Sequence, residues 1–270
     1  MNRIDETFAR LKEKGKRALI PFITAGDPDF GTTRELAWEF EERGADILEL
    51  GVPFSDPLAD GKTIQKASQR ALERGATLRK ILGLVEEIRS SASIPLVLMS
   101  YYNPILRYGL KEFSRDASSA GMDGLIVPDL PPEEAEPLLR ADEAHGVDTI
   151  FLLAPTSPEA RISLISKLSQ GYIYYVSLRG VTGARAELVP DLASAVARIR
   201  PYTEKPIAVG FGISTPEQAR EVALYSDGVI VGSAIVNQIE RHLGQRDLIT
   251  LVGDFLASMK RAIEGLPFDN

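Results

Sequence analysis

The 270-residue sequence predicts a single α/β domain over residues 1–270, folded as a (β/α)₈ TIM barrel. Short apolar runs alternate with amphipathic segments about eight times, which is the repeat that such a barrel requires. The runs are apolar throughout, as expected of parallel strands that are buried on both faces. No G-x-G-x-x-G follows the first run, which disfavours the competing doubly wound sheet. We also expect an extra N-terminal helix and extra helices in the βα loops.

These two patterns predict the strands and helices in chain order. The predicted strands are residues 18–23, 47–50, 95–99, 124–127, 149–153, 172–176, 207–210 and 228–232. The predicted helices are residues 32–42, 63–74, 77–90, 110–120, 132–145, 158–168, 192–199, 216–224 and 248–264. Pro158 and Pro216 each stand close behind a hydroxyl residue, which is typical of the first turn of a helix. Gly44, Gly121 and Gly146 stand where helices are expected to end.

The composition excludes several classes of protein. The formal net charge is -7 and no long Lys/Arg run is present, so the sequence shows no nucleic-acid footprint. The absence of cysteine removes disulfides, thiolate metal sites and cysteine nucleophiles, and fits a reducing compartment. Only His145 and His242 are available, so we expect no histidine-rich metal site and no His-centred triad. No apolar run resembles a signal-peptide core or approaches the roughly 18 residues of a membrane span, so we expect a soluble cytoplasmic protein.

Two carboxylates stand at opposite ends of one predicted loop, within LELGVPFSDPLADGKTIQ at residues 48–65. Glu49 lies in an apolar strand, where an inward carboxylate is costly unless it is paired or in use. Asp60 comes just before a helix. Two carboxyl groups around one pocket, with pKa values pushed apart, supply one acid and one base. The structural alternatives are that Asp60 is a helix N-cap and that Glu49 pairs with an arginine.

The C-terminal strand ends, where barrels of this kind carry their active sites, hold unusual residues. Glycines follow the last three predicted strands and a serine opens a helix, which predicts phosphate binding by Gly183, Gly212, Gly232 and Ser233. Aromatic residues at strand ends are candidate walls of an apolar pocket, although each one alone is typical of a core. They are Phe22, Tyr101, Tyr174 and Phe211. Together with two carboxylates, such a pocket indicates acid–base chemistry on an aromatic phosphate ester.

Three motifs closely resemble the tryptophan synthase α subunit family. They are PFITAGDP at residues 21–28, ELGVPFSDPLADG at residues 49–61 and GVTG at residues 180–183. The likeness runs in register to at least Ser233, and the second motif is the most specific. The resemblance implies a lyase that cleaves indole-3-glycerol phosphate to indole and glyceraldehyde 3-phosphate in a retro-aldol-like reaction, with no metal or cofactor on this chain.

The resemblance also implies roles for individual residues. Glu49 matches the acid–base shuttle for indole C3 and the glycerol hydroxyl, and Asp60 matches the partner of the indole N–H. Tyr174 matches a tyrosine near the side chain of the substrate. The implied indole pocket consists of Phe22, Tyr101 and Phe211. The implied phosphate cradle consists of Gly183, Gly212, Gly232 and Ser233.

A partner is implied as well: a β subunit that carries pyridoxal phosphate and takes up indole through a tunnel, in an αββα (α2β2) assembly. Asp56 and the substrate-side Thr182 match residues that link two loops when the site closes, or else each only stabilises its own loop. The expected partner face is the strand-end rim with Pro53, Asn103 and Pro131.

Lys62 departs from the family, which often has proline there. It either lowers the pKa of Asp60 or points to solvent.

Other functions stay open at this point. One is a phosphosugar isomerase with Glu49 as base, whereas a Schiff-base aldolase is disfavoured because no predicted strand contains a lysine. Another is a stand-alone indole-releasing lyase that needs no partner. A third is a non-catalytic chain that regulates a β-type partner, which the presence of both Glu49 and Asp60 disfavours.

Overall fold

The computed structural model describes residues 2–176, 192–210 and 212–264. Within them, nine parallel strands form one sheet in the order β5-β4-β3-β2-β1-β9-β8-β7-β6. The strands are β1 (Ala18–Thr24), β2 (Leu48–Gly51), β3 (Leu96–Met99), β4 (Gly124–Ile126), β5 (Asp148–Ile150), β6 (Leu152–Leu153), β7 (Ile173–Val176), β8 (Ile207–Gly210) and β9 (Gly228–Val231). The predicted barrel is confirmed.

Strands β5 and β6 stand at the two ends of the sheet order, yet only Phe151 separates them along the chain. They are therefore the two halves of the fifth barrel strand, which was predicted as one run over residues 149–153. The backbone N–H of Phe151 donates to the Ser169 Oγ at 3.0 Å, so this amide is taken by a side chain between the two halves. With β5 and β6 counted as one strand, eight strands form a nearly closed barrel.

Twelve α-helices and one 3₁₀ helix lie in the described part of the chain. They are α1 (Arg3–Glu13), α2 (Phe30–Glu42), α3 (Lys62–Glu73), α4 (Leu78–Arg89), α5 (Tyr102–Tyr108), α6 (Leu110–Ala120), α7 (Glu136–His145), α8 (Glu159–Leu168), α9 (Leu192–Ile199), a 3₁₀ helix (Arg200–Tyr202), α10 (Pro216–Ala223), α11 (Ser233–Arg241) and α12 (Leu248–Ile263). Helix α1 is the expected N-terminal addition, and α5 is an extra helix in a βα loop.

Most sequence signals at the helix ends work as predicted, but Pro158 is the N-cap of α8 rather than a residue of its first turn, and no side chain caps that helix. Thr215 caps α10 by accepting from the Gln218 backbone N–H, and the Gln218 side chain returns a bond to the Thr215 backbone, which forms a capping box. Gly121 and Gly146 end α6 and α7 in the left-handed conformation. The largest error in a helix boundary is at α7, which begins at Glu136 rather than at residue 132. Pro137 then lies in its first turn, where a missing N–H costs nothing.

Each strand divides its side chains between two apolar layers. On β1, Ala18 and Ile20 belong to the cluster inside the barrel, whereas Leu19 and Ile23 pack outward against the helices. Helix α1 contributes Ile4, Phe8 and Leu11 to the inner cluster. Because α1 precedes β1, it closes the N-terminal end of the barrel and leaves the C-terminal end as the accessible mouth.

No helix in the described ranges is long and apolar enough to cross a membrane.

Candidate active site

A pocket opens at the C-terminal ends of β1 to β4, beside α3. Its lining residues are Phe22, Thr24, Gly51, Val52, Asp60, Ile64, Ser68, Met99, Ser100, Tyr101 and Pro128. One side is apolar and aromatic, whereas Asp60 brings a carboxyl group and Thr24, Ser68 and Ser100 bring hydroxyl groups. This composition suits a largely apolar ligand with a few polar atoms.

Glu49 lies inside the barrel below this pocket, one layer of inward-facing side chains closer to the N-terminal ends of the strands. Strand register pairs Phe22 with Glu49 and Thr24 with Gly51, so the pocket-lining Gly51 stands directly above Glu49 on the same face of β2. The Glu49 side chain is fully buried, and the Tyr172 hydroxyl donates to its Oε1 at 2.7 Å. Burial raises the pKa of Glu49 to about 8, although the hydrogen bond from Tyr172 opposes the shift. At neutral pH, Glu49 therefore carries a proton in this position.

Among the described residues, no partner contacts the second oxygen of Glu49, Oε2. The predicted alternative of an arginine partner is wrong, because Tyr172 holds the carboxyl group instead. A buried acid with one satisfied and one unsatisfied oxygen is held less firmly than a fully bonded one.

Asp60 is exposed to the pocket rather than used by the helix behind it. The N-cap of α3 is Gly61, without a side-chain cap, so the alternative that Asp60 caps this helix is wrong. The Tyr101 hydroxyl donates to Asp60 Oδ2 at 3.2 Å. Burial raises the pKa of Asp60 to about 6, and the Tyr101 hydrogen bond opposes that shift. Asp60 is thus mostly ionised at pH 7 whereas Glu49 is mostly protonated.

Two glycines make room for the aromatic residues around these carboxyl groups. A Cβ on Gly51 would lie 2.4 Å from Cζ of Phe22, so the Phe22 ring occupies the space above this glycine. A Cβ on Gly210 would lie 2.7 Å from the hydroxyl oxygen of Tyr174. Burial raises the pKa of Tyr174, and the carboxyl groups of Glu49 and Asp60 lie close enough to raise it further.

An anion site is suggested where β8 and β9 end. Helix α11 begins at Ser233, directly after Gly232, and its first backbone amides face outward at the barrel mouth. A helix N-terminus of this kind favours a negatively charged group. Gly212 is exposed at the end of the neighbouring strand β8, with a positive φ of 81°.

The rim around the mouth carries exposed apolar side chains. Leu58, in the loop between β2 and α3, is 91% exposed, and Leu106 on α5 is 52% exposed. Asn103 and Pro131 are exposed as well, whereas Pro53, which was predicted on the same partner face, is buried. Exposed leucines of this size on one rim are typical of a surface that a partner covers.

Comparisons with known proteins agree with this geometry. The sequence profile described as Tryptophan synthase alpha chain matches residues 8–263. The chain belongs to the tryptophan synthase alpha chain family. A tryptophan synthase alpha chain from Geobacter sp. (strain M21) is 52% identical over 263 residues, which cover 97% of this chain and 98% of that relative. The one from Thermoanaerobacter sp. (strain X514) is 48% identical over 263 residues, which cover 97% of this chain and 100% of that relative.

Solved structures give the same result. The crystal structure of tryptophan synthase subunit alpha from Legionella pneumophila superposes with a TM-score of 0.91 at 41% identity, covering 98% of this chain and 100% of that one. A chain in the structure of Mycobacterium tuberculosis tryptophan synthase superposes with a TM-score of 0.89 at 37% identity, over 97% of this chain and 98% of that one.

Family membership gives the activity. As a tryptophan synthase alpha chain, the protein is an enzyme subunit that cleaves indole-3-glycerol phosphate in tryptophan biosynthesis. It functions with a beta subunit. The alpha chain carries no cofactor, since the pyridoxal phosphate belongs to the beta chain. In the described ranges, no group of three or more His, Asp or Glu side chains is arranged to hold a metal ion.

The structure brings several predicted alpha-chain site residues together and leaves others outside. Phe22, Asp60 and Tyr101 line one pocket, with Glu49 beneath it and Tyr174 close to both carboxyl groups. Gly212, Gly232 and Ser233 lie at the ends of β8 and β9. Thr182, Gly183 and Phe211 lie outside the described residues.

The structure also describes Asp56, which was predicted to act in loop closure, and Lys62, which departs from the family sequence. Asp56 is exposed and its Oδ2 accepts from the Ser55 hydroxyl at 2.6 Å. Lys62 is the exposed first residue of α3, which favours the solvent alternative.

Sequence reasoning missed the pocket-lining hydroxyl residues Thr24, Ser68 and Ser100 and the tyrosine that contacts Glu49, and two of these residues are informative. Tyr172 holds Glu49, and Thr24 lines the pocket with a buried hydroxyl group that has no partner in the described part of the chain. A signal for both was present. Tyr172 stands two residues before Tyr174, and Thr24 two residues after Phe22, so strand alternation places each of them on the same face as a predicted site residue.

Proposed function

We propose that Glu49 and Asp60 together carry the family's cleavage reaction in this chain. The observation that supports this assignment is the separation of their pKa values, about 8 for Glu49 and about 6 for Asp60, at the mouth of one barrel. One group then holds a proton at neutral pH while the other is ionised, which supplies an acid and a counter-ion at the same time.

Glu49 moves the proton. Protonation of indole C3 by Glu49 converts the ring into a cation whose bond to the glycerol carbon is weak. When that bond breaks, its electron pair returns to the ring, and the hydroxyl group on the departing carbon becomes an aldehyde. The hydroxyl proton passes to the Glu49 carboxylate, so Glu49 ends the cycle protonated, as it began.

Asp60 stabilises the cation. Its carboxylate accepts a hydrogen bond from the ring N–H, and this bond strengthens as positive charge develops on the ring nitrogen. The ring lies between Phe22 and Tyr101, with Phe211 as a further wall, and Tyr174 lies near the side chain of the substrate. The phosphate group binds at Gly212, Gly232 and Ser233, together with Gly183 and beside Thr182.

Glu49 rotates during the reaction. In the present position its carboxyl group faces Tyr172 below the pocket, and Glu49 is not among the pocket-lining residues. Since Oε2 has no partner in the described part of the chain, leaving this position breaks only the bond to Tyr172. Closure of the loop with Asp56 over Thr182 excludes water and couples this rotation to the beta subunit.

The proposal extends to the setting of the reaction. The exposed Asn103 and Pro131 belong to the face that meets the beta subunit in an α2β2 assembly, whereas Pro53, which was predicted on the same face, is buried in the loop between β2 and α3. Residues 1–270 act as one domain, since β1 near the start of the chain pairs with β9 near its end. The site of action is the cytoplasm, which fits a biosynthetic enzyme without cysteine.

Release of indole from indole-3-glycerol phosphate tests this assignment in wild type, Glu49→Gln and Asp60→Asn, with and without a beta subunit. We expect slow release by the wild type alone, a strong increase with the partner, and a loss of at least about 100-fold in each variant. Asp142→Asn is the matched control, because Asp142 is also buried with a pKa raised to about 6 but lies outside the pocket. Glu49→Gln with near-normal turnover would refute the role of Glu49.

A further inference from the structure

The loop that carries Asp60, residues 52–61, contacts one tyrosine at both of its ends. Near the start of the loop, the ring of Phe54 lies against the ring of Tyr101 with centroids 5.2 Å apart. Near the end of the loop, the backbone N–H of Ala59 donates to the Tyr101 hydroxyl at 2.9 Å. The same hydroxyl donates to Asp60 Oδ2 at 3.2 Å. Tyr101 thus contacts more of this loop than an aromatic wall of the pocket requires.

Tyr101 is itself firmly held. It is only 6% exposed and lies directly between β3 and α5, at the N-cap position of that helix. The Ser100 hydroxyl donates to its carbonyl oxygen at 3.0 Å. The next residue, Tyr102, donates its backbone N–H to the Asp129 carboxylate at 2.9 Å, which ties this turn to the loop after β4. The hydroxyl group of Tyr101 is therefore a fixed point beside the carboxyl group of Asp60.

The direction of the hydroxyl proton follows from the two hydrogen bonds. A tyrosine hydroxyl has one proton and two lone pairs. The Ala59 N–H occupies a lone pair, so the proton is free to point at Asp60. Burial and the charge of Asp60 raise the pKa of Tyr101 well above its usual value, so the hydroxyl keeps this proton throughout the working pH range. In the described part of the chain, no other side chain donates to the Asp60 carboxyl group.

We infer that Tyr101 is a positioning residue for Asp60, and that its hydroxyl group presents the carboxylate to the ring N–H of the substrate. This inference rests on the proposed role of Asp60. It adds a polar function to a residue that was assigned only an apolar one. Without the hydroxyl group, the pocket keeps its aromatic wall but Asp60 loses its donor and the end of the loop loses its anchor.

Tyr101→Phe separates the two functions, because it keeps the ring and removes only the hydroxyl group. Tyr102→Phe is the matched control one residue away. Dissociation constants of the purified full chain are measured for indole and for benzothiophene, which has the same shape but no N–H. We expect Tyr101→Phe to weaken indole about tenfold, the typical effect of one hydrogen bond to a charged group, and to leave benzothiophene and the control unchanged.

Two results would overturn the inference. An equal loss for both ligands would show that Tyr101 acts only as a wall, and no loss for either would show that its hydroxyl group is idle. A second readout is the acid side of the pH profile of kcat. The lost hydrogen bond favoured ionised Asp60, so Tyr101→Phe raises the pKa of Asp60 and moves this limb to higher pH; an unmoved limb contradicts the inference.

Asp60→Asn distinguishes a failure of the proposed role of Asp60 from a failure of the inference about Tyr101. If Asp60→Asn retains the wild-type preference for indole over benzothiophene, the proposed role of Asp60 fails, whatever Tyr101→Phe does. If Asp60→Asn removes the preference and Tyr101→Phe keeps it, only the inference about Tyr101 fails. In a chain that already carries Asp60→Asn, adding Tyr101→Phe has no further effect on the preference if Tyr101 acts through Asp60.

Discussion

The carboxyl group of Glu49 lies inside the barrel, where the Tyr172 hydroxyl is its partner and apolar side chains of the inner cluster surround it. Removal from water costs a charged carboxylate several times more than one hydrogen bond returns, so the pKa rises to about 8 despite Tyr172. The acid that the reaction needs is thus produced by burial, and its protonation contributes to the stability of the fold.

Glu49→Gln is expected to stabilise the chain in a pH-dependent way. The pKa of Glu49 is about 8 in the folded state against 4.5 as the ordinary value, so wild-type stability declines as pH rises from about 4.5 to about 8. Glutamine stays neutral, and the advantage of the variant grows over that window to on the order of 5 kcal/mol, the equivalent of the difference between the two pKa values. Urea unfolding of both chains at pH 5 and pH 8.5 measures it. An advantage that is equal at the two pH values would contradict the raised pKa.

The unpaired hydroxyl group of Thr24 leads to a second stability prediction. Thr24 is 1% exposed and its Oγ1 has no partner in the described ranges, so Thr24→Val removes an unsatisfied group without changing shape. We expect a gain of about 1 kcal/mol in the free energy of unfolding.

Thr33→Val is the control for Thr24→Val, and we expect it to have the opposite effect on stability. The Thr33 hydroxyl accepts from the Gly26 N–H and donates to the Asp29 carbonyl, both at 3.0 Å. Its removal leaves the buried Gly26 N–H unpaired, at a cost of about 1–3 kcal/mol, whereas the exposed Asp29 carbonyl still accepts from the Thr33 backbone N–H. Chemical denaturation of both variants gives the comparison, and losses of equal size would show that the Thr24 hydroxyl is satisfied in solution.

Strands β1 and β2 fit together through one close approach. The Phe22 ring lies over Gly51, at a distance that leaves no room for a methyl group. The ring therefore enters the pocket only because its neighbouring strand carries no side chain there. Substrate binding and strand packing depend on the same contact.

Gly51→Ala is expected to lower stability by about 1–3 kcal/mol and to raise the KM for indole-3-glycerol phosphate, because the Phe22 ring must shift into the pocket. Gly83→Ala is the control. Gly83 lies within α4, where a Cβ meets nothing within 4 Å, so alanine raises stability by about 1 kcal/mol through its helix propensity. Thermal unfolding and steady-state kinetics report both effects. A Gly51→Ala chain as stable as the wild type would mean that Phe22 has another position available.

The barrel as a whole has two unlike ends. Helix α1 closes the N-terminal end with apolar side chains, whereas the C-terminal mouth holds the pocket, the carboxyl groups and the exposed Leu58 and Leu106. Under the proposed function, the beta subunit takes up indole and therefore meets the end of the barrel at which indole is released. The exposed leucines therefore lie where association with the beta subunit gains most from burying apolar surface.

Leu106→Ser is expected to weaken association with the beta subunit about tenfold, since burying a leucine contributes about 1.5–3 kcal/mol, and to leave indole release by the isolated chain unchanged. Leu224→Ser is the control: Leu224 is similarly exposed at 47% but follows α10, at the opposite end of the barrel. Calorimetric titration with the beta subunit measures the affinity. Equal weakening by both variants, or no weakening by either variant, argues against this rim as the partner face.

Much of this architecture follows from local patterns. The apolar runs and start signals predict the strands and most helices, because burial on both faces of a parallel strand and the capping of a helix depend on neighbouring residues. The start of α7 was wrong because Pro132 and Pro137 offer two first turns, and packing selects the second. Helix α5 carries no periodic signal of its own, being a short helix after β3.

Glu49 and Asp60 were identified from composition and motif, since two carboxylates in an apolar, turn-rich segment are locally unusual. The sequence pattern does not determine which of these two carboxyl groups is protonated at neutral pH. The hydrogen bond to Glu49 comes from Tyr172, 123 residues along the chain, and the one to Asp60 from Tyr101, 41 residues along. A pKa depends on burial and on partners, and both arise only when distant segments meet in the barrel, so the fold can be read from periodicity while the division into acid and counter-ion cannot.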